Sequence, residues 1–171
     1  GTIEPPGHPA VRLEPLRALR ALNSLSDEAM VAAQRNNLID PAAPNPSVEA
    51  LLHAFLPHTF VDHTHSSALL ALADQPDAAE VCRRLYGERV VLVPYVMPGF
   101  ALAQSCAALY EAAAERAAAS GVELEGMVLL KHGLFSFGAT AKQSYERMIA
   151  LVRLAEEHLA TGNRLSQPAA V

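Results

Sequence analysis

The sequence predicts a layered α/β domain, on three observations. Short β-branched runs such as RVVLVPYV (89–96) and GMVLLKHG (126–133) alternate with longer helical patterns along the chain. The 171 residues are enough for one compact domain with a sizeable core and too few for two ordinary ones. No internal repeat or low-complexity tract breaks the alternation. Periodicity leaves the strand order open, although alternation taken alone points to a parallel sheet.

Each element has its own signal. TIEPPGHPAVRLEPL (2–16) reads as a Pro/Gly turn leading into a short strand. LSDEAMVAAQRNNLID (25–40) reads as a helix, with Ser24 or Ser26 as cap and Asp27 and Glu28 in the first turn, where the helix dipole favours acids. The proline-rich loop PAAPNP (41–46) ends in a helix start, Asn45 capping and Pro46 opening the helix SVEALLHAFL (47–56). TFVDHTH (59–65) is expected as a strand, followed by a short helix SSALLALA (66–73) and a second, PDAAEVCRRLYG (76–87), closed by Gly87. RVVLVPYV forms a strand that MPG (97–99) turns into the alanine-rich helix 100–121. GMVLLKHG is a buried strand joined through Gly133 to LFSFG (134–138). The last helix starts with a capping box, Thr140 with Gln143 three residues on, and Gly162 ends it before a frayed tail NRLSQPAAV (163–171).

Composition excludes several classes of function. Net charge is −5, the pI is near 5.8, and no Lys/Arg block stands out, so nucleic acid is not an expected partner. No apolar run reaches membrane-spanning length, and membrane association is not expected. GTIEPPGHPA (1–10) has neither the charged start nor the apolar centre of a signal peptide. Cys82 and Cys106 lie in helical stretches without ligand spacing and read as structural thiols of a reducing, cytoplasmic setting.

The chemistry concentrates in histidines. Side chains of a strand alternate between faces, so His63 and His65 point the same way, close enough to share one ion. An H-x-H pair alone fits a metal site or two polar residues closing a strand. His132 also ends an apolar strand, directly before Gly133, where open α/β folds place ligands; a hydrogen-bonded histidine at a turn is the other reading. The three together would leave a fourth coordination position open, as catalytic zinc sites do, and no cysteine is placed to close it. Glu49 is the carboxylate to add; from the residues alone it reads as a first-turn acid satisfying the helix dipole. His53 and His58 are spare ligands or polar helix-end residues, and His8 and His158 read as surface.

The blocks NPSVE (45–49), VDHTHS (61–66), VPYVMPG (93–99) and LLKHGLFSFG (129–138) resemble, in order and spacing, the class II aldolase/adducin head domain family. The resemblance extends from about residue 10 to the final helix. LIDPAAPNPSVEALLHAFLPHTFVDHTH (38–65) is similar to the aldolase part of bacterial proteins that join a rhamnulose-1-phosphate aldolase to an alcohol dehydrogenase. The resemblance implies a three-layer α/β/α sandwich around a mainly antiparallel central sheet. It implies zinc, or another divalent metal, held by His63, His65 and His132, with Glu49 as catalytic acid/base. The implied reaction cleaves a ketose 1-phosphate, a small sugar phosphate, to dihydroxyacetone phosphate and an aldehyde such as lactaldehyde, in a homotetramer. A pentulose-phosphate 4-epimerase or a non-catalytic adducin-like head are the other activities of this scaffold. Family aldolases hold the substrate phosphate on a glycine-rich loop ahead of the first region seen here, so residues 1–171 are expected as a single domain lacking that portion. For the tyrosine that protonates the leaving group in several members there is no match; Tyr86 and Tyr95 are nearby, and Tyr95 reads as packing or as a support behind the site residues.

Overall fold

The computed structural model of the protein describes residues 8–161. Among these residues lie seven α-helices and four strands: α1 (Leu13–Ala18), α2 (Asp27–Asn36), α3 (Ala50–Phe55), β1 (Phe60–Thr64), α4 (Ser67–Ala73), α5 (Ala78–Tyr86), β2 (Val90–Val93), α6 (Phe100–Ser120), β3 (Gly126–Leu129), β4 (Gly133–Gly138) and α7 (Ala141–Ala160). The fold is α/β, as the alternation predicts. The chain divides into two compact units, one running to Pro57 and including Val96–Ala112, the other comprising His58–Tyr95 and the residues from Ala113 on.

In the first unit two expectations are corrected. The described part of the opening stretch is not a strand: Val11 makes a single antiparallel bridge to Leu38, and helix α1 follows at once. Pro15 is tolerated there because it sits in the first turn, where backbone N–H groups have no intrahelical acceptor anyway. The second correction concerns α3, which begins at Ala50 rather than at Pro46. Asn45 does not cap it, because its side-chain oxygen accepts from the Arg35 guanidinium. Ser47 instead closes a local turn, its Oγ accepting from the Glu49 N–H (3.2 Å) and its carbonyl from the Ala50 N–H (3.0 Å). By contrast α2 starts as expected, with Ser26 Oγ accepting from the Ala29 N–H at 3.2 Å.

The second unit holds the sheet, in the order β1-β4-β3-β2. It is mixed rather than mainly antiparallel: β1–β4 and β4–β3 are antiparallel, and β3–β2 is parallel. Connection length explains the difference. β3 and β4 are joined by a three-residue turn, which permits only antiparallel pairing, whereas β2 and β3 are separated by α6, the long crossover a parallel pair needs.

One sheet face packs on α4, α5 and α7. Its core joins Val90, Val128 and Leu134 of the sheet to Leu69, Ala73, Cys82, Tyr86, Met148 and Leu151 of the helices. Gly126 lets α7 approach, since a Cβ there would lie 2.9 Å from Leu151 Cδ1 and 2.4 Å from the Phe135 carbonyl. Polar groups on this face are paired: Ser136 Oγ donates to the Ser144 carbonyl (2.8 Å), and the Tyr86 hydroxyl to the Leu151 carbonyl (3.2 Å). Thr140 caps α7 as expected, its Oγ1 accepting from the Gln143 N–H, while Gln143 Oε1 accepts from the Ala139 N–H, one residue ahead of the N-cap N–H that a capping box engages. Gly162 and the tail lie outside the described residues.

Cys82 and Cys106 are buried and free, and burial pushes their thiols up to about 11 and about 12, which fits a structural role. No helix among the described residues is long and apolar enough to cross a membrane. Leu151 is fully buried at the centre of the helix–sheet contact. Leu151→Ala is therefore expected to lower the unfolding free energy by about 2–5 kcal/mol in urea denaturation; an unchanged midpoint would contradict this packing.

Candidate metal centre

The other face of the sheet carries the histidines. Register pairs His63 with Phe135 and Phe135 with Met127, so all three point to the face opposite Val128 and Leu134. The His63 imidazole lies nearly flat on the Phe135 ring, with centroids 4.0 Å apart and planes 15° off parallel. Its Nδ1 is 2.9 Å from the Leu134 carbonyl oxygen. A carbonyl can only accept, so Nδ1 carries the proton and Nε2 is left with its lone pair. Metal-binding histidines are commonly oriented in this way.

His65 follows the last residue of β1 and is exposed, and its Nε2 is 2.9 Å from that of His63. Two lone pairs cannot face each other at that distance, so a shared proton or a cation must join them. His132 comes from the β3–β4 turn, its ring centroid 5.3 Å from that of His63 and 5.1 Å from that of His65. One ring nitrogen of each of the three histidines lies within 4.8 Å of the other two.

The turn that presents His132 is held by three successive backbone N–H groups. Leu130 donates to the Val93 carbonyl (2.9 Å), Lys131 to the Ala73 carbonyl (3.1 Å) and His132 to the Leu129 carbonyl (3.1 Å). The residue with positive φ is Lys131 (φ 61°), not Gly133. Glycine is needed there for space: a Cβ at Gly133 would lie 2.7 Å from the Thr64 carbonyl oxygen, 2.8 Å from His65 Cδ2 and 2.9 Å from His63 Cε1. Its missing side chain is what lets the two imidazoles sit over the strand end.

The donor set suits a first-row divalent metal. Zinc–nitrogen bonds of about 2.0–2.1 Å at tetrahedral angles put ligand nitrogens about 3.3 Å apart. His63 and His65 are within a few tenths of an ångström of that spacing.

Glu49 belongs to the first unit and immediately precedes α3 rather than lying in its first turn. Its carboxylate makes no capping hydrogen bond to that helix, and Oε1 is buried. His53 is half-buried on α3. His58 stacks on Phe137 at 4.4 Å, and burial, then the Arg147 charge, pull its pKa down. His8 is exposed as expected, whereas His158 is half-buried. Tyr86 is locked in the core on the helix-covered face, where burial raises its phenol well above its ordinary value, and Tyr95 is exposed. Sequence reasoning missed Phe135 and the Leu134 carbonyl. The alternation in GLFSF could have put Phe135 and Phe137 on one face, but not beneath particular histidines.

Fold and donor set together define an α/β domain with a three-histidine cluster at a strand end. Residues 18–159 match the Class II Aldolase and Adducin N-terminal domain family, and the chain belongs to that family. The N-terminal class II aldolase domain of a conserved protein from Thermoplasma acidophilum is 35% identical with a TM-score of 0.79, over 93% of this chain and 70% of that one. YuxG of Bacillus subtilis (strain 168), described as an uncharacterized oxidoreductase, is 34% identical over 157 residues, which are 92% of this chain. The chain spans only 21% of the length of that relative. YgbL from Klebsiella pneumoniae, for which aldolase, epimerase and decarboxylase activities are suggested, shares the fold at a TM-score of 0.55 and 22% identity, over 77% of this chain and 65% of its own.

Gly133→Ala tests the spacing directly. Because the Thr64 backbone cannot yield as a side-chain tip can, the variant is expected to lose about 1–3 kcal/mol of stability and to bind zinc more weakly. Unchanged denaturation and zinc titration would show that the clearance does not matter.

Proposed function

We propose that this domain is a metal-dependent lyase that cleaves a ketose 1-phosphate of the rhamnulose 1-phosphate type to dihydroxyacetone phosphate and an aldehyde. His63, His65 and His132 hold the ion, zinc in this reading. The observation that carries the proposal is the convergence of three imidazole nitrogens, one with its tautomer set by a backbone carbonyl, in a chain of the class II aldolase family. When bound, the ion supplies a Lewis acid for the substrate carbonyl and the hydroxyl beside it.

The protein's own groups do the rest. Breaking the carbon–carbon bond turns the hydroxyl on the departing carbon into the aldehyde, its proton passing to water, and leaves an electron pair on the carbon next to the carbonyl, which must gain a proton before product leaves. Glu49 is the group we assign to this transfer, as general acid in cleavage and general base in the reverse condensation. Support comes from its place at the end of the NPSVE block and from a carboxylate that is not used to cap α3. His63 and His65 keep their Nε2 atoms on the metal side, because Leu134 takes the Nδ1 proton of His63 and the strand end fixes the pair.

The name of YuxG is not carried over, since this chain corresponds to about a fifth of that protein. An epimerase on the same scaffold would break and remake the same bond without releasing a triose phosphate. Incubation of the zinc-loaded protein with rhamnulose 1-phosphate, with dihydroxyacetone phosphate read by a coupled reductase, separates the two. Release of the triose phosphate is expected, and Glu49→Gln should slow it by about 10²–10⁴-fold with metal content unchanged. Epimerised product without triose phosphate, or a Glu49→Gln rate equal to that of the native chain, would overturn the assignment.

A further inference from the structure

We propose that Phe135 is a positioning residue for the metal centre, the platform that fixes the plane of the His63 imidazole. The inference rests on the reading of His63 as a ligand. A half-buried histidine on β1, an edge strand of the four-stranded sheet, would ordinarily exchange rotamers. Here three features of β4 hold the ring. Phe135 covers one face at 4.0 Å and 15°, the Leu134 carbonyl takes the Nδ1 proton at 2.9 Å, and Gly133 leaves room for Cε1. Phe135 itself has no freedom: it is fully buried, on a strand paired on both sides, opposite His63 on β1 and Met127 on β3. Held by face and by edge, the ring can present Nε2 in only one direction.

The hydrogen bond alone would let the ring tilt about that contact, and tilting bends the N–H···O line that keeps the proton on Nδ1. The stack removes the tilt. Phe135 thus acts through His63 and need not touch substrate.

The same strand supplies a matched control. Phe137 lies two residues on, on the same face, equally buried, and also stacks on a histidine, His58, at 4.4 Å and 4°. His58 is not among the three clustered histidines. Phe135→Leu and Phe137→Leu therefore remove the same ring from the same strand, and both forfeit comparable core packing. Only the first disturbs the proposed ligand.

The test is zinc affinity of the full chain, measured by competition with a chromophoric chelator, together with histidine nitrogen–proton correlation spectra of the metal-free protein. Phe135→Leu is expected to weaken zinc binding by about 10–100-fold, the usual effect of losing a group that orients a ligand. It should also turn the single Nδ1–H tautomer of His63 into an averaged signal. Phe137→Leu should leave both readings as in the native protein. Equal losses in the two variants, or an unaltered affinity and tautomer in Phe135→Leu, would overturn the positioning role. If the native chain takes up no zinc, the proposed function fails, and the tautomer spectrum by itself decides for or against Phe135.

Discussion

The antiparallel pairing of β1 with β4 puts Thr64 opposite Leu134 and His63 opposite Phe135. Because the side-chain period of a strand is two, a slip of one residue would send His63 to the helix-covered face and break the proposed site. The register is held from several sides. Leu134 sits in the apolar core with Leu151, Phe135 and Phe137 are fully buried on the opposite face, and the Nδ1 proton of His63 is committed to the Leu134 carbonyl. Core burial and site geometry thus depend on the same ladder of backbone hydrogen bonds.

The β3–β4 turn is the second fixed point. Its three amide hydrogen bonds reach the end of β2, the end of α4 and the end of β3, so the parallel half of the sheet and a packed helix both set where His132 stands. Positive φ at Lys131, a residue without glycine's freedom, marks a conformation that these contacts over-determine. Gly133 meets a different demand, clearance for two imidazoles and a carbonyl oxygen.

Local signals in the sequence account well for some elements and not for others. Ser26 and Thr140 cap the helices they were expected to cap, since a cap involves only neighbours within a turn. Asn45–Pro46 misled because Arg35, ten residues earlier, engages Asn45. Among the described residues, the opening stretch makes one bridge at Val11. Strand order and direction were beyond reach: alternation suggested a parallel sheet, the family resemblance a mainly antiparallel one, and the sheet contains both pairings. For the site, a period of two makes His63 and His65 neighbours, and the strand end nominates His132. What supports them was hidden, because the Leu134 carbonyl reaches His63 across 71 residues of sequence. Only folded register brings such partners together.

Whether the three histidines hold a metal is most directly read by equilibrium dialysis against zinc, followed by elemental analysis of the native chain and of a His63→Ala, His65→Ala double variant. About one zinc per chain in the native protein, lost in the folded variant, is the expected result for a three-histidine site. A native chain that retains no metal after dialysis, or a double variant that retains as much as the native protein, would contradict it.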